Sequence, residues 1–142
     1  VVYPRVRYAL PIFALDMVGM KGEVSYCIAD VAPVAPGGLP PGQAAEVRGL
    51  QAMCFGADGP ARLPLPAWGA AILSPDYVAL RPKGPEDVNR FVQYGYALLS
   101  WYLMLQREAP LLGTDAAVAE VFRRHAEFGR RQLENQKTAA VL

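Results

Sequence analysis

Between Pro11 and Pro33 the chain reads PIFALDMVGMKGEVSYCIADVAP, two β-prone runs separated by Lys21-Gly22. That pattern predicts a hairpin, with Gly22 taking the positive φ that tight hairpin turns favour. In the first run Asp16 sits among Ile12, Phe13, Ala14, Leu15, Met17 and Val18. Its carboxyl is therefore expected to enter the sheet with little water near it, where it must be paired or protonated. In the second run Val24, Tyr26 and Ile28 point one way and Ser25, Cys27 and Ala29 the other, because side chains alternate along a strand. The second set is small. A face lined by small groups predicts a gap beside the acid, the first hint of a site for a flat ligand.

The flanking pattern supplies the other elements. Val1 to Tyr3 is a short β-prone piece halted by Pro4, and VAPVAPGGLPPG after the hairpin is too rich in Pro and Gly to extend a ladder, so it reads as a surface loop. Ala44, Val47, Leu50, Gln51 and Cys54 recur near helical spacing and predict a short amphipathic helix over 43–55. After a second breaker stretch, 56–66, the segments 70–73 and 77–81 read as two more strands split by Ser74-Pro75-Asp76. Pro85 suits a helix first turn, and Glu86 and Asp87 complement its N-terminal dipole. That helix is expected to reach Glu108 and bury Val88, Phe91, Val92, Leu98, Leu99, Tyr102 and Leu103. Thr114 then predicts an N-cap for a last helix through Val118, Val121, Phe122, His125, Phe128 and Leu133 to Lys137. Strands come first, with no helix between most of them, which argues for an antiparallel sheet packed by long helices.

A length of 142 residues suggests one domain, and 53% hydrophobic with 19% charged residues excludes a disordered chain. The formal net charge of +1 gives no ground for nucleic acid or an anionic membrane as partner. The most apolar run, 97–105, is far short of the ~20 residues that cross a bilayer. Cys27 and Cys54 show no metal-ligand spacing, so reduced thiols in a cytoplasmic protein are the plain expectation, with a single disulfide as the alternative. The chain opens on VVYP and stops at AAVL within a helical pattern, which predicts a fragment short at both ends. There is no Gly-rich phosphate loop, nucleophile elbow or HExxH motif.

Taken in series, PIFALDMV, GEVSYCIADVAP, PAWG, ILSPDYVALRP and RRQLENQKTAAVL resemble the ferredoxin-dependent bilin reductases, most closely the phycocyanobilin-forming members. The resemblance runs in order across nearly the whole chain, as a single domain over 1–142. It implies an α/β (α+β) fold, a three-layer α/β/α sandwich with a central antiparallel sheet, and an open-chain tetrapyrrole held between the sheet and the C-terminal helices. It implies no bound metal or flavin, electrons delivered singly by reduced ferredoxin, bilin radicals, and protons from side chains. The expected reaction is biliverdin to a phytobilin such as phycocyanobilin, in a cytoplasmic monomer. Asp16 falls at the family's essential aspartate. Ser25 and Lys137 match residues that hold the two propionates, Asn135 matches an asparagine at the pocket edge, and Arg62 stands one position from a propionate-binding arginine. Gln136 departs from the pattern, because the family commonly carries a second acid there. The histidine and glutamate that assist the aspartate would lie upstream of Val1.

Other readings stand beside these. Asp16 fits an edge-strand aspartate facing water, Ser25 an ordinary strand serine and Lys137 a solvated helix lysine. Asp30 is better read as a cap for loop amides than as a catalyst. Arg123, Arg124, Arg130 and Arg131 alternate with Glu120, Glu127 and Glu134 as on a solvated helix face, or else face acidic ferredoxin. His125 lies in phase with the apolar stripe and reads as packed, since a metal site normally needs three or four donors. As a whole protein, the alternatives are a bilin binder that does not catalyse, a reductase of another linear tetrapyrrole resembling red chlorophyll catabolite reductase, and an α/β domain with no tetrapyrrole site.

Overall fold

The computed structural model describes residues 1–35 and 37–134. Along the chain lie β1 (Ile12–Met20), β2 (Glu23–Ala32), α1 (Pro41–Phe55), α2 (Ala67–Ala70), β3 (Val78–Leu80), α3 (Pro85–Glu108) and α4 (Asp115–Gln132). The result is a mixed α/β fold with an antiparallel three-stranded sheet in the order β1-β2-β3 and four helices among the described residues.

The hairpin forms as its turn residues dictate. Lys21 at φ 55° and Gly22 at φ 83° are both left-handed, the pair of conformations whose twist matches antiparallel strands. Val18 pairs with Tyr26 and Gly19 with Val24, so Ser25 is the extra residue of a bulge, and its Oγ donates to the Val18 carbonyl at 3.0 Å. Both sheet edges are partly covered by chain. Val2 exchanges two hydrogen bonds with Phe13 beside β1, and the Leu63 amide donates to Ala79 O at 2.8 Å beside β3.

Alternation along the strands sends side chains to two separate clusters. Phe13, Cys27, Ala29 and Val31 pack with Val47 of α1 and with Phe91, Tyr94, Leu98 and Tyr102 of α3. Ile12, Ala32, Val34 and Ile72 pack with Val121 and Phe128 of α4. The small residues of β2 leave no gap: Cys27 and Ala29 are fully buried because α3 lies directly on them. The helix comes so close that a Cβ on Gly95 would stand 2.6 Å from Leu15 Cδ1. The expected cleft on that face is thus filled by protein, and small side chains serve close helix approach.

The helix ends follow their sequence signals. Pro41 and Pro85 occupy first-turn positions of α1 and α3, and Asp87 accepts from the Lys83 amide at 2.8 Å. Thr114 caps α4 by accepting from the Ala117 amide at 3.2 Å. Several expectations are corrected. Segment 70–73 is not a strand: Pro66 starts the short turn of helix α2, and the Ile72 and Leu73 amides both bond to Gly69 O. On α3 Leu103 is exposed, and on α4 Phe122 is 64% exposed, since each side chain faces away from the sheet. Helix α4 ends at Gln132 with Leu133 81% exposed, short of the expected Lys137, whose own position lies outside the described residues.

Leu98 sits fully buried where α3 meets the sheet. Leu98→Ala is expected to lower unfolding stability by about 2–5 kcal/mol through lost burial and an unfilled cavity, read from the urea midpoint against wild type.

Candidate functional site

Register places Asp16 opposite Ile28, with Val18 opposite Tyr26 and Ala14 opposite Asp30. Paired residues share a face, so Asp16 stands on the side away from α3, not beside the small groups of β2. Helix α4 covers the Ile12 and Ala32 end of this face. The other end lies open: Asp16 is exposed, Val18 is 42% exposed and Met20 is 63% exposed. The expected burial of Asp16 is therefore corrected. Its strand is apolar, but no described residue covers its middle on this side. The outcome is an exposed carboxylate on a largely apolar sheet face.

The buried acid of the sheet is Asp30, two positions along β2 from Asp16's partner and 2% exposed. Its Oδ2 accepts from the Ser74 amide at 2.7 Å and its Oδ1 from the Ser74 hydroxyl at 2.5 Å. Desolvation pushes this carboxyl up to about 6 against the opposing pull of the Ser74 and Val31 hydrogen bonds, and nearby Asp76 adds to the rise. The capping role read from sequence is what the structure shows, although the capped loop is 74–76 and not the one that follows β2. Ser74 Oγ in turn accepts from the Asp76 amide, and the Asp76 carboxylate pairs with Arg48 of α1 at 3.2 Å.

Arg62 belongs to the same polar group. It donates to Pro75 O at 2.9 Å and to Gln51 Oε1 at 2.7 Å, and its guanidinium lies 5.6 Å from the centre of the Tyr77 ring. Gln51 also donates to Asp76 O and to the buried Tyr94 hydroxyl. With five donors and two engaged in these bonds, the fork retains N–H groups for another acceptor. Ser25 lies at the bulge, its hydroxyl proton committed to Val18 O, so an acid there would have to compete with a backbone carbonyl. The structure thus places Asp16 and Ser25 on the hairpin and ties Arg62 to α1 and the 74–76 loop. Asn135, Gln136 and Lys137 lie outside the described residues.

The remaining titratable groups have structural settings. The Cys27 thiol is pushed up to about 11 by burial, with Asp16 adding to the effect, and both cysteines are free. Burial holds His125 below the ordinary imidazole range, and its ring meets Tyr3 edge to face at 5.6 Å. The arginines of α4 pair with Glu120, Glu127 and Glu134 at i,i+3 and i,i+4 spacing, the solvated-face reading of that helix. No group of three His, Cys, Asp or Glu among the described residues could hold a metal ion. No described helix is long and apolar enough to cross a membrane.

The antiparallel sheet thus carries an exposed carboxylate on one face, with α3 packed against the other. The family model for ferredoxin-dependent bilin reductases matches residues 1–142, and the chain belongs to that family. It is 32% identical over 142 residues to the phycocyanobilin:ferredoxin oxidoreductase of Gloeobacter violaceus, covering all of this chain and 54% of that protein. The enzyme of the same name from Trichodesmium erythraeum is 29% identical over 147 residues, with 56% of its length covered. A third, from Prochlorococcus marinus, is 32% identical over 145 residues with 52% covered. The chain spans about half the length of the curated relatives it matches.

Asp30 yields a pH prediction. Its folded-state value of about 6 lies above the ordinary 3.8, so between these limits the folded protein holds the proton more tightly than the unfolded chain. Its contribution to stability is full below about pH 4 and is lost as pH rises through about 6. Urea midpoints measured from pH 4 to 7 should fall for wild type relative to Asp30→Asn, whose side chain does not titrate; parallel curves would refute the buried titration.

Proposed function

We propose that this chain forms part of a ferredoxin-dependent reductase of open-chain tetrapyrroles, acting on biliverdin to form a phytobilin such as phycocyanobilin. The observation that carries the reading is the open sheet face around Asp16, in a chain of this family. In the complete protein that face becomes the inner wall of a three-layer α/β/α sandwich, with the bilin lying flat against Val18 and Ile28.

Each double bond reduced takes up two electrons and two protons. Reduced ferredoxin supplies the electrons one at a time, with no metal or flavin held by the protein, so the bilin passes through radical states. Asp16 supplies protons. Its carboxyl stands on the face the bilin would cover, within reach of the ring system that takes up the proton. Arg62, whose remaining N–H groups suit a carboxylate, contacts one propionate with Ser25, while Lys137 contacts the other and Asn135 lies at the pocket edge. We assign the protein to the cytoplasm as a monomer.

Gln136 favours a second reading, a bilin binder without turnover, because an amide has no acidic proton to deliver. An anaerobic absorbance titration of the full-length protein with biliverdin, followed by reduced ferredoxin, separates the two. A bound spectrum that passes through radical bands to a blue-shifted product supports the reductase; binding without reduction leaves the binder. Asp16→Asn is expected to bind biliverdin within about twofold of wild type while turnover falls by 10²-fold or more, the range of a lost general acid. Normal turnover by this variant would remove Asp16 from the mechanism.

A further inference from the structure

The register of β3 brings a cation to the same face as Asp16. Cys27 pairs with Leu80 and Ile28 with Ala79, so the next antiparallel position sets Arg81 beside Tyr26. Leu80 and Val78 pack into the α3-side cluster; alternation then turns Arg81 to the opposite side, the side of Val18 and Tyr26. A second observation agrees with this placement. Burial raises the Tyr26 phenol, Tyr77 and Asp16 push it the same way, and the Arg81 guanidinium pulls it down, so Tyr26 lies within reach of both charges. Arg81 is exposed, and among the described residues no carboxylate lies within ion-pair distance of it.

Tyr26 is half-buried and lies in the middle strand, one row from the Asp16–Ile28 pair. By ideal sheet spacing, the Asp16 and Arg81 Cα atoms stand roughly 12 Å apart across this face. A small metabolite does not bridge that span, whereas several linked planar rings with an acidic side arm do. The floor between the two charges is made of Val18, Tyr26 and Ile28, an aromatic and aliphatic surface suited to the face of a conjugated ligand. Guanidinium is also the group best matched to a carboxylate, since its planar fork donates two parallel hydrogen bonds.

We propose that Arg81, beside Tyr26 at the end of β3, joins Ser25 and Arg62 at one carboxylate arm of the tetrapyrrole and so fixes how the ligand lies relative to Asp16. The proposal deepens the reading given under Proposed function and rests on it. Arg81 orients the substrate and transfers no proton itself. Because the ion pair forms on a partly desolvated surface, its loss is expected to weaken binding of the acid specifically and to leave the ring contacts intact.

The test compares biliverdin with its dimethyl ester, which keeps the rings and lacks the charges, by absorbance titration of the full-length protein. Wild type should prefer the diacid. Arg81→Gln is expected to weaken diacid binding about tenfold or more and diester binding less than twofold, and Arg81→Lys to recover part of the preference. Arg81→Gln should also change the ratio of product isomers, because the ligand can settle in more than one register over Asp16. An unchanged preference for the diacid in Arg81→Gln would overturn the proposal, as would equal loss for both ligands. A variant altered only in its dependence on ferredoxin concentration would overturn it in favour of a partner contact. If wild type binds neither ligand, the tetrapyrrole reading itself falls, and this role falls with it.

Discussion

The antiparallel register of the β1–β2 hairpin is the constraint on which the other features depend. Two consecutive left-handed residues, Lys21 and Gly22, set the turn, and the pairing that follows decides which side chains meet α3 and which do not. A one-residue slip would exchange the faces. A slip of β1 against β2 would turn Asp16 into the α3-side cluster and Phe13 out of it, a loss of apolar burial joined to a buried charge. The bulge at Ser25 restricts the irregularity to the turn end, so the body of the sheet keeps its alternation.

From that register follows a division of labour between the two faces. The α3 side is closed, built on small residues in β2 and on Gly95, and it anchors the sheet to the longest helix. The Asp16 side is closed by α4 at one end and open at the other. A rigid floor whose one face is fully packed can hold chemical groups in place on the other, which is what positioning of a ligand requires. Asp30 joins the two functions. Its buried carboxylate holds the 74–76 loop through Ser74, and that loop presents Pro75 O to Arg62 and Asp76 to Arg48. One internal acid thereby organises the connection between the sheet edge and α1.

Much of the fold was legible because its signals are local. Pro85 with Glu86 and Asp87, Thr114, and Lys21-Gly22 each act through neighbouring backbone groups, and each marks an element boundary or turn in the structure. Segment 70–73 misled because apolar β-prone residues looked like a strand, while Pro66 and Gly69 had already committed the backbone to a helical turn. Phe122 and Leu133 misled for another reason, since helical spacing says which residues share a stripe and not how wide a stripe the neighbours cover. Of the candidate site, the motif around Asp16 is one of the series that marks the family, but the apolar run around the acid does not reveal its exposed setting. Arg81 lay in plain sight within ILSPDYVALRP, and nothing in that string tells which strand it pairs with.

What the sequence alone determined, then, is the set of interactions that close over a few residues: the hairpin turn, helix starts and caps, the alternation within each strand, and the motif series that marks the family. Only the tertiary structure decided which face of the hairpin each helix covers. That choice is made by packing between residues far apart in the chain, as when Gly95 admits Leu15 and when α4 stops short of Asp16. The same long-range packing gave the two aspartates of the hairpin opposite fates. Asp30 met the amide and hydroxyl of Ser74, 44 positions away, and was buried with its hydrogen bonds satisfied. Among the described residues Asp16 meets no such partner and stays at the surface, because a carboxylate leaves water only where other groups replace its hydration.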